Sequence, residues 1–302
     1  MAEPIVIFDH GSINLKAGLS SFEDPLIKIP LLIGRPNIYK KLEDIELKSI
    51  MIGDEILPEL RPLLELTYPM KNGIIINEDD MAILWDYCIK KKLIINDDLK
   101  YRKIFLTEEV FNTFENRKKI AEIIFEKLNF GYFDMEAKAK LALYSHGLDS
   151  GIALEIKDEV TYSIPVFEDY FIHQRIKRLD IGGRHITEYL VKLLQIKGYQ
   201  FFESKDFELA KEIKEKYCFV SCDINSDKKL NFETTYYNSI HELPDGRKIM
   251  ISNEKFEAPE ILFNPYLIRN ESPGIDEMLF ESINVRYINL IIILNLYYRN
   301  VI

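Results

Sequence analysis

Short apolar runs separated by polar turns open the chain. Ile5–Phe8, Leu15–Leu19 and Ile29–Ile33 read as strands, the third ended by Gly34, Arg35 and Pro36. Residues 37–67 are mixed and charged, with a strand and turn at Met51 to Glu55, and residues 68–73 read as a loop. Helical spacing then takes over. Met81, Leu84, Trp85 and Cys88 form one apolar stripe, so Asp79 to Lys92 predicts a helix whose stripe belongs to a core. Two aspartates stand at its start and three lysines at its end, the order the helix dipole favours. Lys103–Glu108 predicts a buried strand. Asn116–Leu128 predicts a helix with Ile120, Ile123, Ile124 and Leu128 facing inward, and Met135–His146 a further helix. Gly151–Glu155 and Val160–Phe167 are strands joined by Ile156–Glu159. Arg184–Ile196 is a helix ended by Gly198, and Phe207–Lys216 is another. Asp245 and Gly246 predict a hairpin turn, and Pro259–Phe263 and Ile275–Ile283 short helices. Strands and helices alternate, and a strand–turn–strand unit occurs at 5–19 and again at 151–167. The expected class is α/β, with two lobes built on similar halves and a cleft between them.

Composition narrows this modestly. A chain of 302 residues exceeds the usual single core. Its 47% hydrophobic and 29% charged residues are those of a globular protein. A balance of 39 basic against 49 acidic residues, net −10, argues against a nucleic-acid partner, which needs a basic face. Cys88, Cys218 and Cys222 form no CxxC pair. They fit a reducing compartment and read as buried small apolar residues, the last two in a strand-like stretch. The first residues do not resemble a signal peptide. Residues 287–302 are apolar, but they are short of a bilayer span and broken by Asn289, Asn295 and Asn300, so no membrane span is expected.

The chemistry begins at Asp9-His10-Gly11-Ser12, with Lys16 shortly after. Backbone N–H groups at a glycine turn bind anions, Lys neutralises them, and Asp orders Mg²⁺ and its waters. Taken alone, the stretch reads first as an ordinary hairpin with polar tips, because turns are rich in such residues anyway.

Further along the chain the pieces become specific. They include Gly34-Arg35-Pro36, Gly53-Asp54-Glu55, Asn72-Gly73-Ile74, Asp79-Asp80-Met81, Leu106-Thr107-Glu108, Asn116-Arg117, Ile213-Lys214-Glu215-Lys216 with Cys218, Glu242-Leu243-Pro244-Asp245-Gly246, and Asn253-Glu254 with Phe256. With these the chain resembles the actin family from Ile5 to about Ser282. Leu84-Trp85-Asp86-Tyr87, Arg178-Leu179-Asp180-Ile181 and Phe256-Glu257-Ala258-Pro259-Glu260 point to its actin-related members rather than to actin itself. The resemblance implies the two-lobed fold shared by actins, heat-shock chaperones and sugar kinases. Residues 1–145 would form the first lobe, with 31–67 its small subdomain. Residues 146–302 would form the second, with 182–270 its small subdomain and the last part of the fold missing. It implies ATP with Mg²⁺ held between two hairpin loops. The implied partners are actin and the other subunits of an actin-nucleating complex, including actin-related protein 3, in the cytoplasm and cytoskeleton.

The resemblance carries nucleotide contacts onto Asp9, Gly11, Ser12, Lys16, Asp158, Gly183, Lys211, Lys214 and Glu215. Taken without it, Lys214–Lys216 is simply a charged helix face. The departures from the pattern are as specific. In the first loop His10 replaces an Asn and Ile13 a Gly. The second loop, normally Asp-Ser-Gly-Asp-Gly-Val-Thr-His, reads Glu155-Ile156-Lys157-Asp158-Glu159-Val160-Thr161-Tyr162. Glycines allow the backbone to turn toward phosphate; Ile156, Lys157 and Glu159 resist that geometry. The glutamine linked to hydrolysis aligns with Lys138, whose ammonium only donates hydrogen bonds and cannot orient an attacking water as an amide does. Lys138 is expected among Asp9, Glu155 and Asp158 as a built-in cation, the alternative being a side chain in solvent. After Ile283 the family's Gly-Gly turn is absent, and residues 291–294 are the remnant of its strand. The expectation is a non-enzymatic subunit with weak or lost ATP binding. The alternatives are a competent ATP-binding member, a sugar-kinase-like enzyme, or a truncated, non-functional product.

Overall fold

The computed structural model describes residues 3–11, 13–37, 48–71, 73–202, 204–243, 246–283 and 292–293. The chain divides into two compact units, Met1–Leu141 and Ala142–Ile302.

In the first unit, β1 (Val6–His10) alternates buried and half-buried positions because only one face of its residues enters the core. It pairs antiparallel with β2 (Asn14–Leu19). β3 (Ile27–Pro30) extends that side of the sheet. β4 (Ile33–Pro36), β5 (Met51–Ile52) and β6 (Leu64–Thr67) form a separate small sheet, and β7 (Met70–Lys71) and β8 (Ile74–Ile75) a two-stranded one. The apolar run 29–33 is therefore two strands rather than one. It breaks at Leu31-Leu32, both buried, and Gly34–Pro36 continue β4 instead of ending a strand. A Cβ at Gly34 would meet the outer methyl of Leu64 at 2.9 Å, so a larger residue there would make that side chain shift.

Helix α1 (Glu78–Tyr87) starts at Asn77, whose carboxamide oxygen accepts from the Asp79 and Asp80 amides. Buried Asp80 takes a bidentate pair from Arg35 and a bond from Thr67 Oγ1 at 2.8 Å, tying the small sheet to α1. β9 (Lys103–Glu108), α2 (Phe114–Glu122) and β10 (Tyr132–Ala137) follow. The main sheet has the order β10-β9-β1-β2-β3. Its core gathers Phe8, Leu15, Leu84, Trp85, Ile104, Ile120 and Ile124. Residues 135–137 are the end of β10, paired parallel with β9, and not the start of a helix. The following helix, α3 (Lys138–Tyr144), begins only at Lys138 and runs across the boundary between the units.

In the second unit, β11 (Gly151–Ile156) is buried along its whole length. β12 (Thr161–Phe167) lies antiparallel beside it, followed by β13 (Tyr170–Phe171) and β14 (Lys177–Leu179). Helices α4 (Gly183–Ile196), α5 (Ser204–Tyr217) and α6 (Ile224–Glu233) come next, then the hairpin of β15 (Ser239–Glu242) and β16 (Lys248–Ile251). α7 (Glu254–Glu257) and α8 (Ile275–Ile283) complete the described helices, and β17 (Ile292–Ile293) adds a parallel edge to β11. Ile186, Leu190 and Leu194 give α4 its buried stripe, packed with Ala210, Ile213 and Ile261. Gly198, at φ +97°, closes the helix as its position in the sequence predicts. Pro244 and Asp245 of the predicted hairpin turn lie outside the described residues, as do 284–291 and 294–302; Gly246 has φ +82°.

The stretch around Cys218 and Cys222 is not a strand. Phe219 N–H bonds to the Lys255 carbonyl, and the next helix starts at an Asp223 cap that the sequence reading missed. Cys222 is exposed, which corrects its reading as buried. Burial pushes the thiols of Cys88 and Cys218 up to about 12, consistent with apolar packing rather than reactivity. Among the described residues no helix is long and apolar enough to cross a membrane.

Candidate functional site

The two hairpins occupy equivalent places in their own sheets. β1 has an antiparallel partner, β2, on one side and a parallel one, β9, on the other. β11 has β12 and β17 in the same senses. Both turns close alike: Gly11 N–H donates to the Asn14 carbonyl at 2.8 Å, and Lys157 N–H to the Val160 carbonyl at 2.9 Å. Register then matches Asp9 facing Lys16 with Glu155 facing Tyr162, and His10 facing Leu15 with Ile156 facing Thr161.

In the first hairpin Asp9 Oδ1 accepts from Thr107 Oγ1 at 2.7 Å, and the His10 amide donates to the same hydroxyl at 3.3 Å. Lys16, opposite Asp9, puts its side chain on the same face. Ser12 lies outside the described residues. His10 is buried and accepts a 2.9 Å bond at Nε2 from the indole N–H of Trp85, the only tryptophan. That bond requires an unprotonated Nε2. Burial, then the nearby Lys138 ammonium, lower the His10 pKa to about 4.

Lys138, the first residue of α3, turns into this hairpin. Its ammonium donates to the His10 carbonyl and to Glu109 Oε1 at 3.0 Å, and it stands 3.6 Å from Asp9 Oδ1. Its side chain is only 13% exposed, so the reading that placed it in solvent does not hold. Glu109 was not foreseen; the only hint was that it follows the Leu106-Thr107-Glu108 piece at the end of β9. Gly73, at φ +76°, leaves room for it, because a Cβ there would meet Glu109 Cγ at 2.5 Å. With an ammonium already against Asp9 and Glu109, these residues do not fit the divalent cation that the resemblance implies.

In the second unit, the described non-glycine residues at positive φ do not include Lys157, Asp158 or Glu159, so this turn uses ordinary backbone and needs no glycine. The carbonyls of Lys157 and Asp158 accept from the amides of Gly183 and Arg184, both at 2.8 Å. These are the first amides of α4, the groups a helix start otherwise offers to an anion. Gly182 makes the approach feasible: a Cβ would lie 2.2 Å from the Lys157 carbonyl oxygen. Arg184 clamps Asp158 at 3.2 Å and Glu159 at 3.1 Å. Glu155 is buried, and Lys157 Nζ sits 3.1 Å from its Oε2 and 5.0 Å over the Tyr162 ring. The Lys157 approach gives Oε2 an ion pair but not an aligned hydrogen bond, and among the described residues that oxygen has no hydrogen-bond partner.

The remaining positions gather at α4 and α5. Lys214 is buried, and its ammonium donates to the Gly183 carbonyl at 2.9 Å, so it is not part of a solvated helix face. Burial is the main influence on its pKa and lowers it; Glu215 and Asp158 oppose this, while Lys211 reinforces it. Asp158, Gly183, Lys211, Lys214 and Glu215 are thus brought together. Gly182 and Arg184, which hold the loop, were missed as functional positions, although the Gly182-Gly183 doublet signals a close backbone approach.

The family model described as Actin matches residues 2–301. Actin-related protein 2 of Schizosaccharomyces pombe is 40% identical over 287 residues, covering 94% of this chain and 73% of that protein. Actin-related protein 2 of Drosophila melanogaster is 41% identical over 293 residues, covering 95% of this chain and 73% of the relative. The Acanthamoeba castellanii protein of the same name is 40% identical over 282 residues.

Proposed function

The chain belongs to the actin family, and on that premise we propose that it serves as an actin-related protein 2-like subunit in the nucleation of branched actin filaments. The likeness at 40% identity over 94% of the chain carries this reading, because it spans both compact units and not one motif. On this reading the protein works by presenting an actin-like surface in the cytoplasm and cytoskeleton. The lobes fall at 1–145 and 146–302, with small subdomains at 31–67 and 182–270. Actin, actin-related protein 3 and the other subunits of a nucleating complex are its partners.

The second half of the proposal is that ATP binding is weak or lost, without useful hydrolysis. Support comes from the second hairpin, where the α4 amides are spent on the loop's own carbonyls and a buried carboxylate stands at Glu155. A competent ATP-binding member is the second reading. Asp9, Gly11 and Lys16 remain on one hairpin, and Asp158, Lys211, Lys214 and Glu215 cluster near Gly183.

Affinity capture of the tagged chain from its source cells, followed by mass spectrometry, tests the subunit role. Actin-related protein 3 and further complex subunits are expected in stoichiometric amounts. Recovery of the intact chain without them contradicts the role.

A further inference from the structure

We propose that Lys138 is a permanent internal counter-ion of the first hairpin, standing in for a divalent metal, so that the hairpin's charge balance is independent of Mg²⁺. The proposal rests on reading that hairpin as one jaw of the family's phosphate clamp, and not on the nucleation role.

Three observations carry it. The ammonium donates to two oxygens, the His10 carbonyl and Glu109 Oε1, and pairs with a third, Asp9 Oδ1, at 3.6 Å. A cation that gathers a backbone carbonyl and two carboxylates is doing what a hard metal ion does with oxygen ligands. The side chains are also mostly enclosed, at 13% exposure for Lys138, 18% for Glu109 and 24% for Asp9. The pairing is therefore less screened than a surface ion pair. Finally, the geometry is braced from behind. Thr107 holds Asp9, and Trp85 holds the His10 ring, whose carbonyl receives the ammonium. A metal would have to displace an ammonium that is covalently delivered by α3 and cannot diffuse away.

The consequence is a latent cation site. Removing the ammonium while keeping the side chain's polarity takes one positive charge from beside Asp9 and Glu109, and a divalent ion then becomes an available counter-ion for the two carboxylates.

Mn²⁺ titration of the full chain, read by loss of the free-ion electron paramagnetic resonance signal, tests this. The unmodified chain and Lys138→Arg should show only weak background binding. Lys138→Gln should gain one Mn²⁺ per chain, held about tenfold more tightly than background, and the gain should vanish in Lys138→Gln/Asp9→Asn. Equal binding by the parent and Lys138→Gln overturns the proposal, and so does no gain in the variant.

Melting of the unmodified chain, followed by Trp85 fluorescence in excess Mg²⁺ and in EDTA, does not depend on any variant folding. The two midpoints should agree within about 1 °C, and a rise of several degrees with Mg²⁺ contradicts the proposal. Neither readout involves partner proteins, so failure here and failure of the capture experiment are separable.

Discussion

The β1–β2 and β11–β12 hairpins share sheet position, turn closure and register, yet they balance their acidic residue in different ways. Asp9 receives a cation from Lys138, which is remote in sequence and brought in by the fold. Glu155 receives one from Lys157, on its own loop and two residues away. The first solution depends on tertiary structure. The second is local, built from residues of its own loop. It then consumes the α4 amides to hold the loop's carbonyls. Equivalent backbone frames thus pair a carboxylate with a lysine by different routes, one through tertiary structure and one within the loop.

The sharpest way to separate the hairpins is acid, because only the first carries a buried histidine. The His10 pKa is about 4 in the folded protein against 6.5 for the ordinary group. As pH falls, the unfolded chain takes up the proton first. Stability from neutral His10 is therefore full above pH 6.5 and is lost as pH falls toward 4, below which both states are protonated. The loss should approach about 3 kcal/mol. Urea titrations at pH 7.5 and pH 4.5, followed by Trp85 fluorescence, should show it, and His10→Asn should remove most of that acid step.

A somewhat smaller effect strikes the second hairpin alone. Gly182→Ala places a Cβ against the Lys157 carbonyl oxygen, a backbone atom that cannot swing aside. A cost of about 2–3 kcal/mol is expected from denaturant unfolding, with amide exchange accelerating at Gly183 and Arg184.

Lys157→Met should cost about 2 kcal/mol by leaving the buried Glu155 carboxylate without its cation, and adding Glu155→Gln should recover part of that. A double-mutant cycle measures the coupling. The smallest change is Ile13→Gly, which puts in the first turn the glycine that the resemblance implies. Ile13 is exposed, so the cost should be only about 0.5 kcal/mol, mostly backbone entropy, in the same unfolding assay.

Much of the fold was legible because its signals are local. The apolar stripe of α1, the Gly198 stop of α4 and the strand–turn–strand units all follow from spacing within a few residues. The errors fall where a partner decides. Residues 29–33 are uniformly apolar, and only pairing with different strands splits them between two sheets. Residues 135–137 resemble a helix start but follow β9 in parallel register. Cys222 stands in an apolar-looking stretch with no strand to pair with. At the site, Asp9 and Lys16 were readable as parts of one strand–turn–strand unit, though not as facing residues, and Lys138 from its alignment. Glu109 as its partner, the Trp85–His10 bond and the capture of the α4 amides were not readable. Each joins a helix to a strand or loop distant in sequence, a meeting fixed by tertiary packing rather than by sequence spacing.

The central claim is the proposal that ATP binding is weak or lost in this actin-family chain, and calorimetric titration of the full chain with ATP in Mg²⁺ and in EDTA tests it most directly. The account predicts weak binding, with dissociation constants of about 100 μM or above, little changed by the metal. Tight binding, about 1 μM or below, that requires Mg²⁺ would contradict it.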